Sequence, residues 1–389
     1  MKSYPIAPLI LLILFAALTS PAADLGSRQS STDKSFHHEI QRSIDRGLDW
    51  LMQNQNSNGW WATADHPAVT ALALHAFNGD PSRRIRKESS PALQRGYQVL
   101  LSHVQSNGAI FRIGLANYNT AISMLPLLSS EDPAYKPVLQ NARRWLIANQ
   151  IDMSEKGIVD TPFDGGIGYG SKYDHSDMNN TLVALEALYL SRQLDKDSSN
   201  SGAADLNWTA VRHFIQSCQN LPSVNKEPWA SGDPKNKGGF IYYPGNSMAG
   251  GETNTNGKVA LRSYGSISYA GLLSYIYADV RSDDPKVEAV MTWLKANFSL
   301  EENPGLGSQG YYYYLHLMTK ALNAAGVTEI ELRDGRKIAW RRELAMRLLN
   351  LQKPDGSWLN DQQARWWEKE TPLVTAYSIL ALEIIHRGL

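Results

Sequence analysis

One phrase recurs along this chain and limits what it can fold into. An apolar segment of helical period carries Trp or Tyr and ends near Gln. A Gly-aromatic turn follows, and a second apolar segment begins close to Thr or Ser. The first copy runs Gly47-Leu48-Asp49-Trp50-Leu51-Met52-Gln53-Asn54-Gln55, then Asn58-Gly59-Trp60-Trp61, then Ala68-Val69-Thr70-Ala71-Leu72. The last runs Leu348-Leu349-Asn350-Leu351-Gln352, then Asp355-Gly356-Ser357-Trp358, then Pro372-Leu373-Val374-Thr375-Ala376. Two helices per unit at a period of roughly 50–70 residues predict stacked helical hairpins.

Four further copies lie between these two. Their turns are Gly108-Ala109-Ile110, Asp164-Gly165-Gly166-Ile167-Gly168-Tyr169, Gly238-Gly239-Phe240 and a weak one at Asn303-Pro304-Gly305. Six hairpins from His38 onward give twelve helices. The first helix of each pair keeps polar positions and is expected outside. The second is apolar around most of its circumference, with small residues, and suits an inner ring. The predicted fold is all-α: an α/α toroid of six helical hairpins over 38–389. An open solenoid would show a more polar concave face.

Lys+Arg and Asp+Glu both number 38, so charge gives no case for nucleic acid. The 11 Trp and 18 Tyr need a large core or a cavity to line. Cys218 is the sole cysteine, which excludes an intramolecular disulfide. Residues 1–23 read as a cleaved signal peptide: Lys2, an apolar Ile6 to Leu18, then Ser20-Pro21-Ala22-Ala23. The expectation is bacterial export, to the periplasm or the outside. Residues 24–37 are polar and aperiodic and read as a disordered lead. The 221–263 segment is the longest connection and is expected to cap one mouth of the toroid.

Over roughly residues 40–389 the repeats resemble those of the squalene–hopene cyclase and protein prenyltransferase superfamily. Gln352 with Asp355-Gly356-Ser357-Trp358 carries the likeness most closely. The resemblance implies the toroid and a central cavity for an isoprenoid-like molecule. It also says where to look for catalysts. Cyclases of this kind begin with Asp-x-Asp-Asp-Thr, and here the aligned residues are Asp177-Met178-Asn179-Asn180-Thr181. An amide carries no transferable proton of useful acidity, so Asn179 and Asn180 do not replace the acid. The prenyltransferase zinc set of Asp, Cys and His is unmatched, because Cys218 falls late in an outer helix. No metal site and no cofactor are expected.

In a toroid the starts of the inner helices converge on one cavity. This gathers His66, Tyr118, Asn119, His175, Asn179, Asn180, Tyr264, Ser266, Tyr312, Tyr313, and the Trp366-Trp367 pair before the last helix. Asp174, Asp177 and His316 are the candidate catalytic groups. Asp177 is either an acid or base with a raised pKa or the cap of the following helix. Tyr311-Tyr312-Tyr313-Tyr314-Leu315-His316 is either an aromatic wall with an acid–base pair or packing between the rings. Trp366-Trp367 is either a ligand platform or a seal between the last and first repeats. The glycines of 165–170 let a turn pack tightly, since no strand precedes them to make a phosphate loop.

Three functions remain open from sequence. The protein binds or transforms an isoprenoid-like apolar molecule, meeting membranes only through that substrate. It is a carbohydrate-active lyase or hydrolase acting on a polysaccharide. Or it is a non-catalytic interaction module using 221–263 and Trp366-Trp367.

Overall fold

The computed structural model describes residues 31–170, 175–196, 205–253 and 259–389. The expected signal segment, residues 24–30 of the lead, and Asp174 lie outside them. Within them are twelve helices longer than one turn: α1 (Ser31–Gln53), α2 (Pro67–Gly79), α3 (Pro91–Ser102), α4 (Ala116–Ser129), α5 (Lys136–Ala148), α6 (Met178–Ser191), α7 (Trp208–Ser217), α8 (Gly265–Tyr277), α9 (Pro285–Ala296), α10 (Tyr311–Ala324), α11 (Trp340–Leu351) and α12 (Thr371–Gly388). Two short antiparallel hairpins decorate the connections: β1 (Gly251–Thr253) with β2 (Val259–Leu261), and β3 (Ile330–Glu331) with β4 (Lys337–Ile338).

The even-numbered helices pack in sequence, α2 on α4, α4 on α6, and so on to α12, which returns to α2. The inner ring is therefore closed. Its helices are buried almost throughout, whereas the outer, odd-numbered helices bury one face. That is the difference between a helix hydrophobic all round and an amphipathic one.

One correction concerns the start. The lead predicted to be disordered through residue 37 is helical from Ser31. Phe36 is buried in line with Ile40, Ile44 and Leu48 at helical spacing. The polar run around it hid that spacing.

The recurring phrase has a physical meaning. In five of the six repeats a Thr or Ser hydroxyl on the inner helix accepts the backbone N–H of the turn's apolar residue. The pairs are Thr70–Trp61, Thr120–Ile110, Thr181–Ile167, Ser268–Phe240 and Thr375–Trp358. The Trp61 and Trp358 indoles donate to the carbonyls of Leu51 and Leu348, which lie in the last turn of their outer helices. In four of the six repeats a Gln ties one unit to the next, through Gln55, Gln150, Gln219 and Gln352: Gln150 Nε2 donates to Gly165 O in its own turn and to Asn207 O before α7.

The same clasp closes the ring. Gln352 Nε2 donates to the Ser43 carbonyl at 2.9 Å, and Ser43 Oγ returns a bond to Gln352 Oε1. Arg46 and Trp50 reinforce it through Lys353 O and Asp355 Oδ2. Gln352→Ala is expected to cost about 1–3 kcal/mol, because it leaves the Ser43 and Gly356 carbonyls without that donor. Urea denaturation measures this; an unchanged midpoint would exclude a structural role for the clasp.

Candidate functional site

The N-terminal ends of the inner helices surround a cavity of about 540 Å³. Its wall is aromatic: Tyr118 from α4, Tyr169 and Tyr242 from connections, Tyr264 before α8, Tyr313 from α10 and Tyr377 from α12. Among the described residues no Asp, Glu, Lys or Arg lines it. Burial pushes the Tyr264, Tyr313 and Tyr377 phenols up, so they are neutral O–H groups at neutral pH. The His66 imidazole is lowered by burial, against the pull of Asp65, and its Nδ1 is buried without a partner. Such a wall suits an apolar molecule, or a positive charge over the ring faces.

These helix ends are capped largely by neighbours. Asn119 Oδ1 accepts from Ala68 at the start of α2, and Asn303 Oδ1 accepts from Ser266 at the start of α8. Glu368 Oε1 accepts from Tyr313 N near the start of α10, with Oε2 held by Asn360 Nδ2 at 2.6 Å. Only α6 among these carries its own carboxylate cap, Asp177. Its Oδ1 accepts from Asn180 N and its Oδ2 from Asn180 Nδ2. Desolvation raises Asp177 to about 6 despite these bonds, and raises Glu368 to about 7.

The mouth is built from connections. Trp366 and Trp367 stand on its rim, 41% and 42% exposed. Both have left-handed backbone (φ 55 and 67), as does Leu115 (φ 48), another lining residue. Non-glycine residues hold that conformation at a cost of about 1–3 kcal/mol each, so the surrounding structure must impose it. For the tryptophans the buried Glu368 supplies one anchor. Arg365 supplies the other: it lies 4.5 Å over the Trp366 ring and donates to Gln309 Oε1 and Met248 Sδ. Met248, Tyr242 and Tyr243 bring the 221–263 connection to the cavity, as expected of a cap. Trp367 meets His66 edge-on at 5.1 Å, joining the last repeat to the first.

Most of the predicted residues come together here: His66, Asn119, His175, Asn179, Tyr264, Tyr313, Trp366 and Trp367 all line the cavity. Others do not. Asn180 turns back onto Asp177. Tyr312 packs edge-on against Tyr311, away from the wall, because successive helical residues point about 100° apart. Asp177 is fully buried in its capping role and does not line the cavity.

His316 faces a second, smaller chamber of about 140 Å³ further along the axis. Tyr118, Tyr313 and Tyr377 border both spaces and form the floor between them. His316 stacks on Tyr377 at 5.2 Å, and Tyr313 donates to Asn179 Oδ1 above. The sequence pattern does not assign Tyr377, Tyr169, Tyr242, Leu115 or Glu368 to the site. The Tyr377 position could have been found from its place two residues after Thr375 in the repeated phrase.

Comparison with protein-family models and with curated proteins gives no match. Solved structures do match. The chain is 12% identical to a type II terpene cyclase from Scytonema, with a TM-score of 0.52 over 92% of this chain and 99% of that one. Candida albicans protein geranylgeranyltransferase-I, complexed with GGPP, gives 14% identity and a TM-score of 0.54 over 90% of each chain. A GH76 α-mannanase from Bacteroides thetaiotaomicron gives 10% identity and 0.53 over 90% of this chain and 96% of that one. At these identities the likeness establishes the α/α toroid.

Proposed function

We propose that the protein binds an apolar, isoprenoid-like molecule in the cavity of the toroid and holds it without chemical change. The observation that carries this reading is the wall itself: about 540 Å³ of space, ringed by tyrosines and tryptophans, with no charged lining side chain among the described residues. The volume falls in the range of about 300–1,000 Å³ typical of small-molecule sites. Two of the matched structures carry a prenyl chain: the Scytonema cyclase in complex with geranylgeranyl dihydroxybenzoate, and the transferase with GGPP. Alkene protonation would need an acid at the wall; among the described residues none lines it, and Asp177 is committed to Asn180 instead. Export through residues 1–23 belongs to this proposal.

The mannanase match and the exposed Trp366-Trp367 pair favour a second reading, binding of a sugar chain at the mouth. Glycosidic cleavage by paired carboxylates would need two of them at the site. The wall described here offers aromatic surface rather than such a pair.

Equilibrium dialysis of the full chain against geranylgeraniol and against mannotetraose separates the two. Saturable binding of geranylgeraniol is expected, weakened at least about tenfold (1.4 kcal/mol) by the double change Trp366→Ala and Trp367→Ala. Mannotetraose is expected to stay unbound. Saturable mannotetraose binding with no uptake of geranylgeraniol would overturn the proposal.

A further inference from the structure

The chamber beneath the tyrosine floor is unused by apolar binding, and its chemistry is different. We propose that it is a second binding site, for a small organic cation of the primary alkylammonium class, held by Glu383 and His316. At about 140 Å³ it is close to an engineered cavity of about 150 Å³ that admits benzene, so a ligand of a few heavy atoms fits.

The hydrogen-bonding balance selects the ligand. The cationic donors of the chamber have partners: Lys320 Nζ donates to Glu186 Oε2 at 2.5 Å, and Arg387 Nη1 to the Gly79 carbonyl at 2.8 Å. The acceptors do not. Both Glu383 carboxyl oxygens and His316 Nδ1 are buried with no partner. Glu383 is 1% exposed and His316 6%. Once Glu383 gives up its proton both of its oxygens are acceptors, so a ligand that pairs with the carboxylate must bring donors.

The arrangement is built rather than incidental. A Cβ on Gly79 would fall 1.9 Å from Glu383 Oε2, so the glycine of α2 makes the room that the carboxyl of α12 occupies. An apolar side chain at position 383 would suit an otherwise apolar helix better than an unpartnered acid.

Charge points the same way. The inner helices all end at this side of the ring, where their dipoles are partly negative. The groups facing Glu383 are His75 and Asp80 from α2 and its end, Glu186 from α6, His316 and Lys320 from α10, and Arg387 on its own helix. From α4 only Tyr118, Ile122 and Leu125 line the chamber. Burial keeps His75 and His316 neutral, and Glu186 compensates Lys320. Burial also pushes the Glu383 carboxyl well up and so favours its protonated form where no counter-ion faces it. Binding then transfers that proton to buffer: the carboxylic acid and an alkylammonium become a carboxylate–ammonium pair and one released proton.

The test uses the full chain with n-butylammonium chloride, and with 1-butanol and sodium butyrate as neutral and anionic counterparts. Thermal unfolding should show a saturable rise in Tm with butylammonium alone. Calorimetry in two buffers of different ionisation enthalpy should show close to one proton released per ligand, with affinity rising with pH. Glu383→Leu should raise the Tm of the unliganded protein and weaken butylammonium binding at least tenfold. Glu383→Gln keeps the shape and should weaken binding likewise if the leucine variant does not fold. Equal responses to butanol or butyrate, retained binding in both variants, or no response of the unaltered protein (a chamber occupied by water only) would each overturn the proposal.

Discussion

Gly165→Ala is expected to destabilise the protein by at least about 4 kcal/mol, among the largest effects of any single substitution. Gly165 has φ +92, which L side chains rarely adopt, and an added Cβ would fall 2.0 Å from the Ala210 carbonyl carbon in α7. The obstacle is backbone, so no side chain can swing aside. The turn is fixed as well: Gly165 N donates to Ile151 O, and Gly165 O accepts from Gln150. The same contact recurs at Gly356, where φ is +96 and the added Cβ would lie 2.6 Å from Arg46 O. Gly114 offers an internal comparison, since its φ is +58 but nothing lies within 4 Å of the added atom. Gly114→Ala carries the dihedral cost alone, about 1 kcal/mol. Urea midpoints of the two variants decide the matter. If Gly165→Ala unfolds no more easily than Gly114→Ala, hairpins do not interlock through this backbone contact.

The second large effect is the loss, as pH rises, of the stability carried by two buried carboxyls. Desolvation holds the folded Asp177 at about 6 against an ordinary 3.8, and Glu368 at about 7 against 4.5. Between those limits the folded protein keeps protons that the unfolded chain has released. Stability from each group is complete below its ordinary pKa and is lost as pH rises through the folded value, about 3 kcal/mol for each. Glu383, pushed up by burial, acts in the same direction. Two sets of groups oppose this: hydrogen bonds hold Asp164 and Asp355 low, so their contribution fades in acid, and burial lowers His66, His75 (to about 4), His316 and His386 from an ordinary 6.5, so the unfolded imidazoles take up protons in mild acid that the folded ones do not. Because the imidazoles and the carboxyls pull in opposite directions in mild acid, the carboxyl contribution is read as the difference between the unaltered protein and a carboxyl variant across about pH 4–8. Asp177→Asn should keep the cap, because an amide oxygen serves Asn180 N and the new amide can donate to Asn180 Oδ1, which is buried without a partner. It should remove roughly half of the fall assigned to the Asp177–Glu368 pair. The same pH profile in Asp177→Asn and in the unaltered protein would refute the assignment.

Much of the fold was legible because the phrase repeats at positions that perform fixed tasks. Gly165 and Gly356 need the absence of a Cβ, Thr181 and Thr375 clamp the turn, and Gln150 and Gln352 reach the next unit. Each task demands a residue type, so spacing reveals it. The cavity was legible only in outline. Helix starts converge in any toroid, which gathered His66, Asn119 and Tyr264. Which face of a helix turns inward depends on its rotation, and one step of that rotation separates Tyr313 on the wall from Tyr312 behind it. Depth was invisible too: His316 lies one turn beyond Tyr313 and so falls beneath the floor. Glu368 was hidden because it caps α10 from a loop 55 residues away. A single acid inside the apolar run Tyr377–Ile385 was the available signal for Glu383.

The Gln352–Ser43 clasp joins residues 309 apart in sequence, and it has a consequence for how the molecule is made. Until the sixth hairpin leaves the ribosome, α2 and α10 each present an apolar flank with no neighbour, because α12 covers both. The growing arc is thus sticky at its two tips and becomes safe only when the last piece arrives. Once closed, the circle has no privileged beginning. A chain joined from α12 to α1 and cut in a connection between hairpins would meet the same set of neighbours in a different order of synthesis.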